Sequence, residues 1–186
     1  MSDSPNAFWR RLDRPGHDAA RLLRASGGWT LEGYAAFDEH GPTGLHYRIR
    51  LAHDFSTVSA TIDGHRAGGA ISHAFYRDAE GWRFNGAAVP GLKDILHIDF
   101  GFTPATNFNQ LRHAALVVGG EAEFDVAWFD VGEAGLVRLP QRYRRIADDR
   151  YWYSSPASGY EAVLKLAPNG FVRLYPDLWE MDPLNG

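Results

Sequence analysis

The sequence predicts an all-β protein, built mainly of antiparallel strands in a sandwich, roll or barrel. Two observations carry this prediction. Apolar and polar residues alternate with a period of two along most of the 186 residues, and turn-forming clusters interrupt the alternation at short intervals. Roughly nine to eleven strands are expected from that spacing. Only two segments resist the pattern, and both are short.

The first of these is Asp18 to Ala25 (DAARLLRA), which has good helix propensity and stops at Gly27-Gly28, a helix-ending signal. Propensity alone reads it as helix; the alternative is a strand entering a Gly-Gly hairpin towards Trp29-Thr30-Leu31. Next, Leu45, Tyr47, Ile49 and Leu51 alternate with His46, Arg48 and Arg50, which gives a strand with one apolar face. Val58, Ala60 and Ile62 repeat the pattern against Ser59, Thr61 and Asp63, and Ile71, His73 and Phe75 follow. Asp78-Ala79-Glu80-Gly81 is turn-prone, Trp82 and Phe84 resume the strand, and Asn85-Gly86 marks another turn. Pro104 to Ala115 is the second resistant segment, with room for one or two helical turns. Phe124, Val126 and Trp128 share a face, and Tyr151 and Tyr153 open a further strand. Tyr160, Ala162, Leu164 and Leu166 run into Pro168-Asn169-Gly170, from which Phe171 to Tyr175 return as a hairpin.

The chain suits one domain spanning 1–186, and folding at this size buries roughly 70% of the unfolded surface. Its net charge is −4, from 19 basic and 23 acidic residues, so no electrostatic footprint for nucleic acid or anionic lipid is present. Cysteine is absent, which excludes disulfides, thiolate nucleophiles and cysteine-ligated metals. The segment Met1 to Arg10 lacks the apolar middle of a signal peptide, and no run approaches ~20 apolar residues. A cytoplasmic protein that does not span a membrane is expected; oligomeric state is not set by sequence. The aromatic content is high, with 6 Trp, 8 Tyr and 11 Phe. That implies a large interior or an aromatic-lined site.

Catalytic motifs are absent. There is no phosphate loop, dinucleotide fingerprint, G-x-S-x-G elbow or H-E-x-x-H pair. Asp99-Phe100-Gly101 matches the kinase magnesium triplet without any other kinase element. His97 and Asp99 lie two apart and share a face of an extended segment, but a zinc site needs a third protein ligand, which the sequence does not name. The competing reading makes His97 a half-buried strand residue and Asp99 an ion-pair or turn partner. Asp148 and Asp149 with Glu121 and Glu123 are acidic enough for acid–base work, or form a solvated face. Arg138, Arg142, Arg144, Arg145 and Arg150 are likewise an anion contact or a solvated strand face. No metal or cofactor is expected.

From Asp99 the chain reads D-F-G-F-T-P-A-T-N, followed by Arg112, Leu116, Ala127-Trp128, Gln141-Arg142-Tyr143, Tyr151-Trp152-Tyr153-Ser154 and Gly170-Phe171-Val172-Arg173-Leu174-Tyr175-Pro176 before Leu178-Trp179. This order resembles the bacterial putative glycolipid-binding family, with Trp82, Gly33 and Tyr47 fitting more loosely. The family's T-N-T-L-P-I-R-R-L is here Thr106-Asn107-Phe108-Asn109-Gln110-Leu111-Arg112-His113, without the Leu-Pro. The resemblance implies a large antiparallel sheet curled into a roll or half-barrel with a few short helices, similar to bacterial lipoprotein carriers. It also implies a strand, not a helix, at Asp18 to Ala25.

A curled sheet with an aromatic face encloses an apolar cavity wherever its side chains leave it unfilled. The function expected from the resemblance is therefore non-catalytic binding of a lipid or glycolipid. The motif carries over Asp99, Thr103, Asn107, Arg112, Gln141, Tyr143, Tyr153 and Tyr175. Asp99 and Thr103 read as structural, with Arg112 a candidate partner for Asp99; Asn107, Arg112, Gln141, Tyr143, Tyr153 and Tyr175 are the candidate ligand-binding residues. Two alternatives stand beside this reading. One is a protein-interaction module using an exposed aromatic patch, and the other is an enzyme pairing Asp99 with a histidine.

Overall fold

The computed structural model describes residues 4–183, so residues 1–3 and 184–186 of the expected domain lie outside the described residues. Among the described residues, fifteen strands form one curled, unclosed sheet, accompanied by one helix. The chain first lays down β1 (Asn6–Arg11), β2 (Gly16–Ala25), β3 (Gly28–Asp38), β4 (Pro42–Leu51), β5 (Thr57–Arg66), β6 (Gly69–Asp78), β7 (Gly81–Phe84) and β8 (Ala87–Val89), each antiparallel to the next. It then crosses to the far edge at β9 (Ile98–Phe100) and enters α1 (Asn107–Ala114). It returns through β10 (Glu121–Phe129), β11 (Val137–Ala147), β12 (Arg150–Ser155), β13 (Tyr160–Leu166), β14 (Val172–Tyr175) and β15 (Trp179–Met181). The last strand pairs with the first, giving the order β8-β7-β6-β5-β4-β3-β2-β1-β15-β14-β13-β12-β11-β10-β9. Only β9 and β10 run parallel, joined by a crossover that carries the helix.

The all-β class and the period-two faces are as the sequence predicts. Leu45, Tyr47, Ile49 and Leu51 are all buried, as are Ala60 and Ile62 beside them. The strand count exceeds the nine to eleven expected, because β8, β9 and β15 have three residues each and are too short to display a period. Asp18 to Ala25 is a strand. Ten consecutive pairings with β3 override its helix propensity, and Asp18, Ala20 and Leu22 face inward while their neighbours face out. The helix within Pro104 to Ala115 is eight residues long and ends at Ala115, whose φ of 44° is left-handed.

The inner face of the curl is filled from within. Phe100 packs against Tyr47 and Phe75, at ring-centroid distances of 6.2 and 5.6 Å, and Phe102 stacks on Phe37. Asn107 to Leu111, the first five residues of α1, are buried against the curled sheet. Phe108 joins the main core of β1–β6, while Leu111 joins a second cluster with Tyr143, Tyr151, Tyr153, Leu164 and Val172. At the seam between the two ends of the chain, the Trp9 indole is fully buried and donates to the Val172 carbonyl at 2.7 Å.

Gly33 shows why the inner face needs a glycine. Its strand partner is Tyr47, and a Cβ there would lie 2.3 Å from the Tyr47 hydroxyl oxygen and 2.6 Å from the Ala19 carbonyl. Both neighbours are immobile, one being backbone and the other a fully buried ring. Gly33→Ala is expected to destabilise the fold by about 1–3 kcal/mol, the usual cost of overpacking. Urea unfolding reads this directly; an unchanged midpoint would show that the Tyr47 ring has space to move.

Candidate functional site

Asp99 lies at the centre of the parallel β9–β10 pair, with Trp128 directly opposite on the neighbouring strand. Registered partners project to the same side of a sheet, so both line one cavity of about 560 Å³. Across it stand Tyr153 and Ser155 from β12, Tyr160 from β13, Tyr175 from β14 and Trp179 from β15, with Val137, Leu139 and Leu178 as aliphatic wall. The tyrosines support one another. Tyr153 meets Tyr175 edge-on at 5.7 Å, Tyr175 meets Tyr160 at 5.4 Å, and the Tyr160 hydroxyl donates to the Pro176 carbonyl at 2.6 Å. Thr103 and Asn107 reach the cavity from the segment between β9 and the helix and from its first turn.

A buried polar network holds this floor. The Asn107 amide donates to the Tyr143 hydroxyl at 2.8 Å, and that hydroxyl donates to Gln110 Oε1 at 2.8 Å with Gln141 Oε1 at 3.3 Å. Gln141 Nε2 donates to Asp99 Oδ2 at 2.8 Å, and the Thr106 hydroxyl donates to the other carboxylate oxygen. Burial pushes the Asp99 carboxyl above its ordinary range, against the lowering effect of these donors. Thr103 connects the cavity to a second buried acid: its hydroxyl donates to Asp18, which also accepts from Tyr47 at 2.9 Å. Burial raises the Asp18 carboxyl to about 7. Asp130, on the cavity wall, is raised to about 6, also mainly by burial. Burial holds the hydroxyls of Tyr143, Tyr153 and Tyr175 protonated, and Tyr160 is pushed up to about 12.

Three of the six candidate binding residues, Asn107, Tyr153 and Tyr175, line the cavity together. Gln141 and Tyr143 lie behind it and hold Asp99 and Asn107 in place. Arg112 is elsewhere. It sits over the Phe108 ring at 5.0 Å, donates weakly to the Asn169 carbonyl at 3.4 Å, and borders a separate surface hollow with Arg145 and Arg173. It does not pair with Asp99, whose side-chain donors are Thr106 and Gln141. Ser155, Trp128, Asp130 and Arg138 also line the cavity, and sequence reasoning does not find them there. They come from three strands and a loop, and no spacing along the chain connects them.

The other groups singled out by sequence do not converge on chemistry. Among the described residues, no three His, Asp or Glu are placed to hold a metal ion. His97 is buried against His113 and Phe124, and burial lowers it to about 4. Among the described residues, no histidine lines the cavity beside Asp99. Arg142 pairs with Glu123, Arg150 approaches Asp149 at 3.7 Å, and Arg145 donates to the Leu116 and Asp148 carbonyls. Of the exposed aromatics Phe8, Tyr34 and Tyr76, the first two are each stacked on a histidine of the adjacent strand. No helix among the described residues is long and apolar enough to cross a membrane.

Fold and site together define an all-β protein whose curled sheet packs against one partly buried helix and carries a pocket with an aromatic wall. Residues 6–181 match the family described as putative glycolipid-binding, and the chain belongs to that family. The crystal structure of a DUF1089 family protein from Pseudomonas aeruginosa is similar over 97% of this chain and 92% of that one, at 25% identity and a TM-score of 0.75. No curated protein matches the chain.

Proposed function

We propose that this one-domain protein is a non-catalytic, cytoplasmic binder of a lipid or glycolipid, and that the ligand occupies the cavity between β9–β11 and β12–β15. The observation that carries the reading is the cavity itself. About 560 Å³ falls in the range of small-molecule sites, with a tyrosine- and tryptophan-rich wall and a few fixed polar groups at its floor. Aromatic walls bury a chain or stack on a sugar ring, and polar groups at the floor orient a head group. Membership of a family described as putative glycolipid-binding supports the same class of ligand. Asn107, Tyr153 and Tyr175 are the residues proposed to touch the ligand; Gln141 and Tyr143 act as positioning residues. Arg112 is not retained, because it lies outside the cavity.

Apolar burial sets the affinity in this reading, so it rises with chain length until the cavity is full. Each added CH₂ is expected to strengthen binding by at most about 0.8 kcal/mol, roughly fourfold. Alkyl glucosides of increasing chain length, titrated below their micellar concentrations and followed by calorimetry, test this. Flat or absent binding across the series, in folded and delipidated protein, would leave the cavity aromatics as core and remove the proposal.

A further inference from the structure

Among the described residues, the cavity contains acids and lacks a free cation. Asp99 and Asp130 line it, and Asp18 sits directly behind Thr103. The one basic side chain on its wall is Arg138, whose guanidinium is already committed: it donates to both oxygens of Asp94, to Asp125 and to the Gly91 carbonyl. Arg11 and Arg14 act on Asp130 from outside the cavity, together with the opposing charge of Glu39. They too are paired, Arg11 with Asp13 and Arg14 with Asp13 and Glu39. An anionic head group entering here would meet like charge and find no unpaired partner, an arrangement that costs binding.

The remaining polar groups suit hydroxyls. Ser155 is 2% exposed and lies on the same face of β12 as Tyr153; its Oγ has the Tyr153 hydroxyl as its polar neighbour and makes no well-aligned hydrogen bond among the described residues. Buried polar atoms ordinarily have well-made hydrogen bonds, so a buried hydroxyl with bonding capacity left open on a cavity wall points to a group that arrives with the ligand. Asp130 accepts one backbone N–H, from Val131 at 2.7 Å, through Oδ1. Its Oδ2 packs on Gly101, where a Cβ would lie 2.5 Å away, and has no hydrogen-bond donor among the described residues. An acceptor at Asp130 and a donor–acceptor at Ser155 complement a polyol, whose hydroxyls both give and take hydrogen bonds.

We propose that the cavity selects an uncharged, hydroxyl-bearing head group, a neutral glycosyl unit, and rejects phosphate, sulfate and carboxylate head groups on the same chain. Asp130 and Ser155 make the contacts that discriminate, and Asp99, held by Thr106 and Gln141, adds to the repulsion. The inference rests on the amphiphile-binding reading above and specifies its ligand.

The test compares three probes of one chain length, octyl β-glucoside, octyl sulfate and octanol, by calorimetry below their micellar concentrations near pH 7.5. The glucoside is expected to bind roughly tenfold or more tightly than the sulfate. Equal or tighter binding of the sulfate overturns the selectivity while leaving amphiphile binding in place. Binding of none of the three removes the amphiphile reading, and the selectivity with it. Asp130→Asn keeps an acceptor and deletes a charge; it is expected to narrow the glucoside-to-sulfate ratio by about fivefold, chiefly through stronger sulfate binding. An unchanged ratio in that variant overturns the role of Asp130. Should Asp130→Asn fail to fold, Ser155→Ala is an independent arm: it is expected to weaken the glucoside roughly three- to tenfold while octanol is unaffected. Equal weakening of glucoside and octanol would overturn the hydroxyl contact.

Discussion

Stability is expected to fall as pH rises from about 4 to about 7, and Asp18 is the largest single cause. Its carboxyl is fully buried, accepts hydrogen bonds from Tyr47 and Thr103, and is raised by burial from an ordinary 3.8 to about 7. The folded state therefore holds this proton to a higher pH than the unfolded chain does. Below about pH 4 both states are protonated and the group is neutral in the balance. Between about 4 and 7 the unfolded chain ionises first and is favoured; above about 7 the full penalty applies. A carboxyl raised that far costs the folded state about 4 kcal/mol once it ionises. Asp130, raised to about 6, and Asp99 add to the same slope, while buried His97, lowered to about 4, opposes part of it because the unfolded chain holds that proton up to its ordinary value of 6.5. Asp18→Asn mimics the protonated acid and still offers an oxygen to both hydroxyls, so it should remove the Asp18 part of the slope and raise stability at pH 8. Urea unfolding of the two proteins at pH 4.5 and pH 8 checks this. Identical pH dependence in both would show that Asp18 is not the group that titrates.

The second large effect is expected at the seam where β1 meets β15. Trp9 has no exposed surface, meets Phe171 edge-on at 5.5 Å and donates to the Val172 carbonyl. Trp9→Ala removes a large buried side chain where the two ends of the chain meet and takes the indole donor from the Val172 carbonyl, at a cost of about 3–5 kcal/mol. Trp9→Phe retains much of the burial and loses the hydrogen bond, so about 1–2 kcal/mol is expected. Denaturant midpoints for the three proteins give the ordering. A loss below about 1 kcal/mol in Trp9→Ala would mean that the seam is held by backbone pairing alone.

Much of the architecture was legible because its long strands bury one face. β4, β5 and β13 announce themselves by alternation, and the turns at Asp78–Gly81, Asn85-Gly86 and Pro168–Gly170 fall between paired strands. Local propensity misread β2 because Ala, Leu and Arg favour helix in isolation, and only the pairing partner on β3 reveals the strand. Asp18 left no signal at all: an acid followed by two alanines reads as surface until the sheet turns it inward. The site was half legible. Asn107, Tyr153 and Tyr175 were found through the family motif, whereas Ser155 and Asp130 are ordinary polar residues until the curl brings β10, β12 and the loop after β10 together.

The order of the strands also bears on the route by which the chain folds. Every neighbouring pair from β1 to β8, and again from β10 to β15, is formed by consecutive strands, so two meanders can grow hairpin by hairpin with little loop entropy to overcome. The β1–β15 pairing is different: it sets Trp9 opposite Met181, and the Trp9 indole reaches on to Val172 of β14, 163 positions away. Pairing at that seam is expected late in the folding reaction, after the meanders exist. Interactions made so late are absent from the transition state, and their loss speeds unfolding and leaves the folding rate nearly untouched. The indole at the seam is thus expected to act on lifetime, setting how long the two halves of the sheet stay joined more than how quickly they meet; unfolding and refolding rates of Trp9→Phe check this.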